Sequence, residues 1–137
     1  MYLLDTNVIS ELRRTRPHGA VLKWLNSVNE RALNISAVTL GEIQSGIEST
    51  RDQDPSKANA IEQWANLLTQ TYNIIPMDAQ TFRIWARLMH KQSNTLYEDA
   101  MIAASAKQHH LTVVTRNVSD FASFDVVLLN PFDLTTY

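Results

Sequence analysis

Short apolar runs and longer stretches of three- and four-residue periodicity alternate along this chain. Tyr2-Leu3-Leu4 is too short for a helix and breaks at Asp5, which predicts a buried strand that delivers a carboxylate to its end. Residues 6–12 read as a short helix capped by Asp5 or Thr6, with Val8, Ile9 and Leu12 inward. After Pro17 a second helix is expected over residues 18–28, on a stripe of Val21, Leu22, Trp24, Leu25 and Val28. Leu33-Asn34-Ile35 predicts a second strand and residues 36–49 a third helix, anchored by Val38, Ile43 and Ile47. The turn cluster Asp52-Gln53-Asp54-Pro55-Ser56 precedes a fourth helix, in which Ala58, Ile61, Ala65 and Leu68 recur at helical steps as far as Tyr72.

Ile74-Ile75 gives a brief third strand, and Asp78 caps a fifth helix with the stripe Ala79, Phe82, Ala86 and Met89. A polar loop, residues 92–95, leads to an alanine-rich helix over 96–110, whose small side chains at Ala100, Ala103, Ala104 and Ala106 allow close approach to a sheet. Thr112-Val113-Val114 and Val126-Val127-Leu128-Leu129 complete the strands, and Asn130-Pro131 ends the last one before a short tail. Strands separated by helices in this order predict one domain over residues 1–137. Its expected architecture is α/β, three layers with a central parallel sheet of four to five strands and right-handed crossovers. In such folds ligands bind beyond the carboxyl ends of the strands.

Composition narrows this further. Apolar residues make up 45% of the 137, with three glycines and four prolines, as expected of a compact globule. The absence of cysteine excludes disulfides and thiolate-held zinc. No apolar run approaches the ~18 residues of a membrane helix and no basic leader precedes Asp5, so a soluble, cytoplasmic protein is expected. A formal net charge of -2 argues against nucleic acid unless charge is segregated, and here Arg13, Arg14 and Arg16 gather after the first helix while Arg116 lies beside another polar segment.

The candidate chemistry is acidic. Asp5, Asn117 and Asp120 closely follow strands, whereas Glu42 and Asp99 lie near helix starts, and a parallel sheet brings all of these to one edge. Helical phase places Asp99 with Ile102, Ala103 and Ala106 on the stripe facing the sheet, and Glu98 with Ser105 and His109 on a polar one. Close carboxylate pairs repel by roughly 4 kcal/mol at a 4 Å separation and an effective dielectric near 20. Convergence of Asp5, Glu42, Asp99 and Asp120 would therefore raise their pKa values or recruit a cation, and oxygen-only ligands select Mg²⁺ or Mn²⁺. Each acid also has a purely structural reading: Asp5 as a helix cap, Glu42 in a capping box with Thr39, Asp99 paired with Arg116, Asp120 as a turn cap. Thr6, Asn7, Arg13, Arg14, Thr115 and Arg116 are the candidate substrate contacts.

Other residues carry less. His18, His90, His109 and His110 lack metal-ligand spacing, and the last two suit a helix carboxyl end. Trp24, Trp64 and Trp85 sit on helical stripes and read as core.

Four segments together carry a resemblance that covers almost the whole chain. They are Leu4-Asp5-Thr6-Asn7-Val8-Ile9-Ser10-Glu11, Ser36-Ala37-Val38-Thr39-Leu40-Gly41-Glu42, Asp99-Ala100-Met101-Ile102-Ala103-Ala104 and Thr115-Arg116-Asn117-Val118-Ser119-Asp120-Phe121. In order and spacing they resemble PIN-domain ribonucleases of the VapC or FitB kind, toxins of bacterial toxin–antitoxin pairs. The resemblance implies Mg²⁺- or Mn²⁺-dependent endonucleolytic cleavage of RNA, metal roles for Asp5 and Asp99 and an acidic site role for Glu42. Some members carry an aspartate where Asn117 stands, whereas others, like this chain, have an amide there and an acid three residues later, so Asp120 is assigned as the fourth acid. Asn117 can offer a carbonyl ligand or hold a metal-bound water but no charge. The resemblance also implies a two-fold dimer, a higher toxin–antitoxin assembly and an antitoxin that blocks the site, with an arginine inserted among the acids.

Two other functions compete. A phosphatase of the haloacid dehalogenase type also opens on a strand ending in aspartate, but needs a second acid two residues on, where Asn7 stands. A receiver-like, non-catalytic metal-holding domain expects an acidic pair after the first strand and a lysine after a late one, and neither is evident.

Overall fold

The computed structural model describes residues 1–134. The chain runs β1 (Tyr2–Leu4), α1 (Thr6–Glu11), α2 (Gly19–Ser27), β2 (Leu33–Ser36), α3 (Ala37–Arg51), α4 (Pro55–Thr71), β3 (Asn73–Ile75), α5 (Ala79–Met89), α6 (Tyr97–His109), β4 (Thr112–Val114), α7 (Val118–Phe121) and β5 (Leu128–Leu129). All strand pairings are parallel, in the order β3-β2-β1-β4-β5. Residues 135–137, the end of the expected tail, lie outside the described residues.

Helices cover both sheet faces because successive strand residues point to opposite sides. Leu3 and Val113 join Ala100, Ile102, Ala103, Ala106, Phe121 and Phe124 on one face. Leu4, Val114, Leu33 and Ile35 join Val8, Ile9, Val21, Trp24 and Leu68 on the other. Between Ile35 and Leu33 points Asn34, a buried amide in a central strand. It is satisfied by donating to the Tyr2 carbonyl at 2.9 Å and accepting from Asn73 at 2.8 Å, and so ties β1, β2 and β3 together.

The chain leaves β1 towards β2 on one side, and β4 enters on the other side of β1. In open parallel sheets ligands settle at such a reversal, beyond the carboxyl ends of the strands, here β1 and β4. Leu4 and Val114 are paired in register, so Asp5 and Thr115 emerge side by side.

Helix boundaries follow local chemistry. Asp5, Ser36, Asp54 and Asp78 each accept a backbone N–H at the first turn of the helix they precede. His110 closes α6 in the left-handed region, φ 56°.

Three expectations change. The inward face of α5 is Thr81, Trp85, Leu88 and Met89, whereas Phe82 is 43% exposed and Ala79 and Ala86 are also outside. Two large side chains at Trp85 and Leu88 decide the phase, and buried Thr81 tolerates it because its hydroxyl meets Asp78 and Gln108. The last strand shrinks to Leu128–Leu129, with Val127 68% exposed. The turn before it is held by the Lys107 ammonium, which donates to the carbonyls of Phe124 and Asp125. Ser105 is fully buried, not on a polar stripe, and donates to the Met101 carbonyl, because α6 is enclosed on several sides.

Candidate active site

Asp5 lies 4% exposed at the tip of β1. Its Oδ1 accepts the Thr6 N–H at 2.8 Å, so the capping reading holds, while Oδ2 accepts from the Thr115 hydroxyl at 2.8 Å and from Asn7 Nδ2 at 3.1 Å. Burial pushes its pKa up from the ordinary carboxylate value. The bonds from Thr115, Thr6 and Asn7 oppose that rise, and the charge of Asp120 adds to it.

Thr115 and Asn7 fasten the loop after β4 to the start of α1. The Thr115 oxygen also accepts the Asn117 N–H at 3.0 Å and Asn7 Nδ2 at 3.3 Å, and Asn7 Oδ1 accepts the Arg116 N–H at 3.1 Å. Both side chains are thereby spent inside the protein. Expected at the substrate, Thr115 is instead fully buried, and Asn7 orients Asp5 and the β4 loop.

Glu42 stands on α3, beyond the end of β2, half-buried. Its pKa is raised to about 7, first by burial, then by the charges of Glu98 and Asp5, with a hydrogen bond from Thr6 opposing and a carboxyl contact with Glu98 adding to the rise. The Thr6 hydroxyl also lies 3.2 Å from Thr39 Oγ1, within hydrogen-bond distance. The capping box expected between Glu42 and Thr39 is absent among the described residues, since Ser36 caps α3 through the Val38 N–H.

Asp99, in the first turn of α6, is raised to about 6, by burial and then by the charges of Asp5, Asp120 and Glu98. It has no ion pair with Arg116 among the described residues. Asp120 is exposed in the single turn of α7, where its charge acts on both Asp5 and Asp99. Asn117 caps that turn by position only: its N–H is bonded to Thr115, and its side chain makes no hydrogen bond among the described residues.

Glu98 is the acid that sequence phase assigned away from the site. It stands next to Asp99 at the exposed end of α6 and reaches Glu42, so both neighbours act on the same cluster. The signal was its place in the first turn, where a helix has not yet committed its side chains to one face.

The arginines separate. Arg13 lies over the Trp64 ring, 5.6 Å from its centroid, and borders a groove of about 290 Å³ shared with Thr6, Ser10, Glu42, Gly46 and Thr50. Arg14 pairs with Glu11 at 3.5 Å, and the buried Glu11 carboxylate also accepts the His18 N–H at 2.7 Å, holding the α1–α2 connection. Arg116 lies over Phe132 at 4.5 Å.

Asp5, Glu42, Asp99 and Asp120 thus share one electrostatic field, although among the described residues no three acids or histidines are already spaced to hold a metal ion. The donor set still fits a hard divalent cation. It is all oxygen, its charges raise one another's pKa values, and Mg²⁺ takes one or two carboxylates while keeping several waters. Among the described residues no helix is long and apolar enough to cross a membrane.

The chain is similar to known proteins along almost its whole length. The chain is 34% identical to Toxin FitB of Neisseria gonorrhoeae, over 96% of this chain and 99% of that protein. It is 31% identical to VapC ribonuclease Y4jK of Sinorhizobium fredii, over 97% and 99%. The crystal structure of FitAcB from Neisseria gonorrhoeae superposes with a TM-score of 0.85 at 33% identity, covering 98% of this chain and 100% of that one. FitAB bound to a DNA fragment gives 0.84 at 32% identity, covering 100% and 99%. The PIN-domain profile matches residues 2–126, a span that holds every acid of the cluster, and the chain belongs to the PIN-domain family.

Proposed function

We propose that this protein is the toxin of a toxin–antitoxin pair and a metal-dependent endoribonuclease, with Asp5, Glu42, Asp99 and Asp120 as its catalytic acids. The carrying observation is the gathering of these acids at the sheet edge, where burial first and then the charges of Glu98, Asp5 and Asp120 raise Glu42 to about 7 and Asp99 to about 6. An all-carboxylate cluster so strained electrostatically is matched by a divalent cation, and we assign Mg²⁺ or Mn²⁺. The relatives named a toxin and a ribonuclease, and the structural neighbour in which FitA accompanies FitB, support the same reading.

When bound, such an ion lowers the pKa of water and neutralises charge on a phosphodiester. Asp5 is the anchor, held in one orientation by Thr6, Asn7 and Thr115. Asp99 and Asp120 approach it from α6 and α7 and share the work of holding the cation. Glu42, on α3 beside this cluster, would help to hold the ion or accept the proton that the attacking water gives up. Asn117 offers an amide oxygen beside them.

The partners are RNA, a cognate antitoxin that places positive charge among the acids, and a second copy of this chain in a larger toxin–antitoxin assembly. A phosphatase using Asp5 as nucleophile is disfavoured, since Asn7 stands where that chemistry needs a second acid and is committed to internal bonds.

The test is cleavage of total cellular RNA, with mapped ends, by antitoxin-free protein in Mg²⁺ or Mn²⁺. Cleavage that stops with chelator and with Asp5→Asn or Asp99→Asn is expected. Retained cleavage in both variants, or none by the wild type in either ion, would sink the reading.

A further inference from the structure

Arg116 leaves β4 immediately after Thr115, and its backbone is pinned to Asn7, itself bonded to Asp5. Its position relative to the acids is therefore fixed by two successive hydrogen bonds. Its guanidinium lies 4.5 Å from the centroid of the Phe132 ring. Phe132 is buried in the core on the α1–α2 side of the sheet and is met edge-on by the His18 ring, with centroids 5.3 Å apart.

The guanidinium has no carboxylate partner among the described residues, and it is not among the groups that set the pKa of Asp5 or Asp99. It is thus not a counter-ion of the cluster. A guanidinium parked on an aromatic face keeps its planar edge, with its N–H donors, open to a phosphate, and it loses less freedom on binding than a free side chain does. Arg14 differs, because Glu11 already takes its charge.

Building on the ribonuclease reading, we propose that Arg116 grips a phosphate of the RNA beside the one that is cut, and that Phe132 is the positioning residue that presents it. Phe132 lies beyond residue 126, where the match to the PIN-domain profile ends. The grip itself comes from the loop after β4, and the residue that presents it comes from the segment after β5.

The experiment measures binding of a short unstructured RNA oligonucleotide over a range of salt, using full-length protein with Asp99→Asn to block cleavage. Arg116→Ala is expected to weaken binding by about fivefold to tenfold and to lower the slope of log K against log salt by about 0.7, the value for one phosphate contact on a single strand. Phe132→Leu should cost about threefold with the slope kept, Phe132→Tyr should restore affinity, and Phe132→Leu should cost nothing more once Arg116 is alanine. Thermal melts of each variant identify any loss that is one of folding.

Unchanged affinity and slope in Arg116→Ala would overturn the proposal while leaving the ribonuclease reading intact. An equal cost of Phe132→Leu with and without Arg116 would overturn the role of Phe132. If the wild type neither binds nor cuts RNA, both readings fall.

Discussion

The Thr115 hydroxyl donates to Asp5 Oδ2 at 2.8 Å across the seam between β4 and β1. The same oxygen receives the Asn117 N–H at 3.0 Å. One buried hydroxyl therefore sets both the orientation of a site carboxylate and the path of the loop that carries Asn117 and Asp120.

Thr115→Val, which keeps the shape and removes the oxygen, is expected to destabilise the protein by about 1–3 kcal/mol. It strips a donor from Asp5 and leaves the Asn117 N–H without its acceptor. Thr115→Ser should recover most of the loss. Urea denaturation of the three proteins checks this, and a valine variant as stable as the wild type would contradict it.

Glu42 and Asp99 predict an unusual dependence of ion-free stability on pH. Both pKa values are raised in the folded state, to about 7 and about 6, so the folded protein holds protons that the unfolded chain releases. Their contribution is fully present below the unfolded values near 4 and is lost as pH rises through about 6 to 7. With both side chains half-exposed, solvent screening reduces the expected change to the order of 1 kcal/mol. Melting in chelator should therefore fall over this range, and added Mg²⁺ should reverse the fall at neutral pH. A chelated protein that gains stability from pH 5 to 7 would contradict the assignment.

Glu98 raises both Glu42 and Asp99, so Glu98→Gln should lower the pKa of each and stabilise the ion-free protein at neutral pH. Carboxyl titration by NMR reads this directly. Asp99→Asn should weaken cation binding more than Glu98→Gln does, because Asp99 is half-buried beside the charges of Asp5 and Asp120 while Glu98 is exposed. Calorimetric titration with Mn²⁺ giving the reverse order would place Glu98 at the centre of the site.

Glu11→Ala should free the connection between α1 and α2, since it removes the acceptor of the part-buried His18 N–H bond and releases Arg14. A cost of about 1–3 kcal/mol is expected, with faster hydrogen exchange at His18. Protection at His18 equal to that of the wild type would show that other contacts hold the turn.

Much of this was legible in the residues, for reasons that differ by element. Tyr2-Leu3-Leu4-Asp5 reads clearly because an apolar run that stops at a carboxylate has few places to go in a parallel sheet. The phase of Asp99 was legible because alanines mark the face of α6 against the sheet. The phase of α5 was not, since Phe82, Trp85 and Leu88 compete and only tertiary packing decides among them. Glu98 was missed because helical phase says little in a first turn. Phe132 was missed because its contact with Arg116 joins segments from different strands, which no spacing encodes.

The bonds that orient Asp5 are also the stitches between β1, α1 and the loop after β4. The cluster is consequently a place where the fold is under tension whenever it is empty of positive charge. Whatever supplies that charge, a metal ion or a basic side chain of a partner, is bound in part with free energy returned from relieved repulsion, and so acts as a folding ligand. Under the toxin reading, release from the antitoxin yields the least durable form of the molecule, which becomes active only once a divalent ion binds. Its working life is then set by how quickly a divalent ion takes the vacated place.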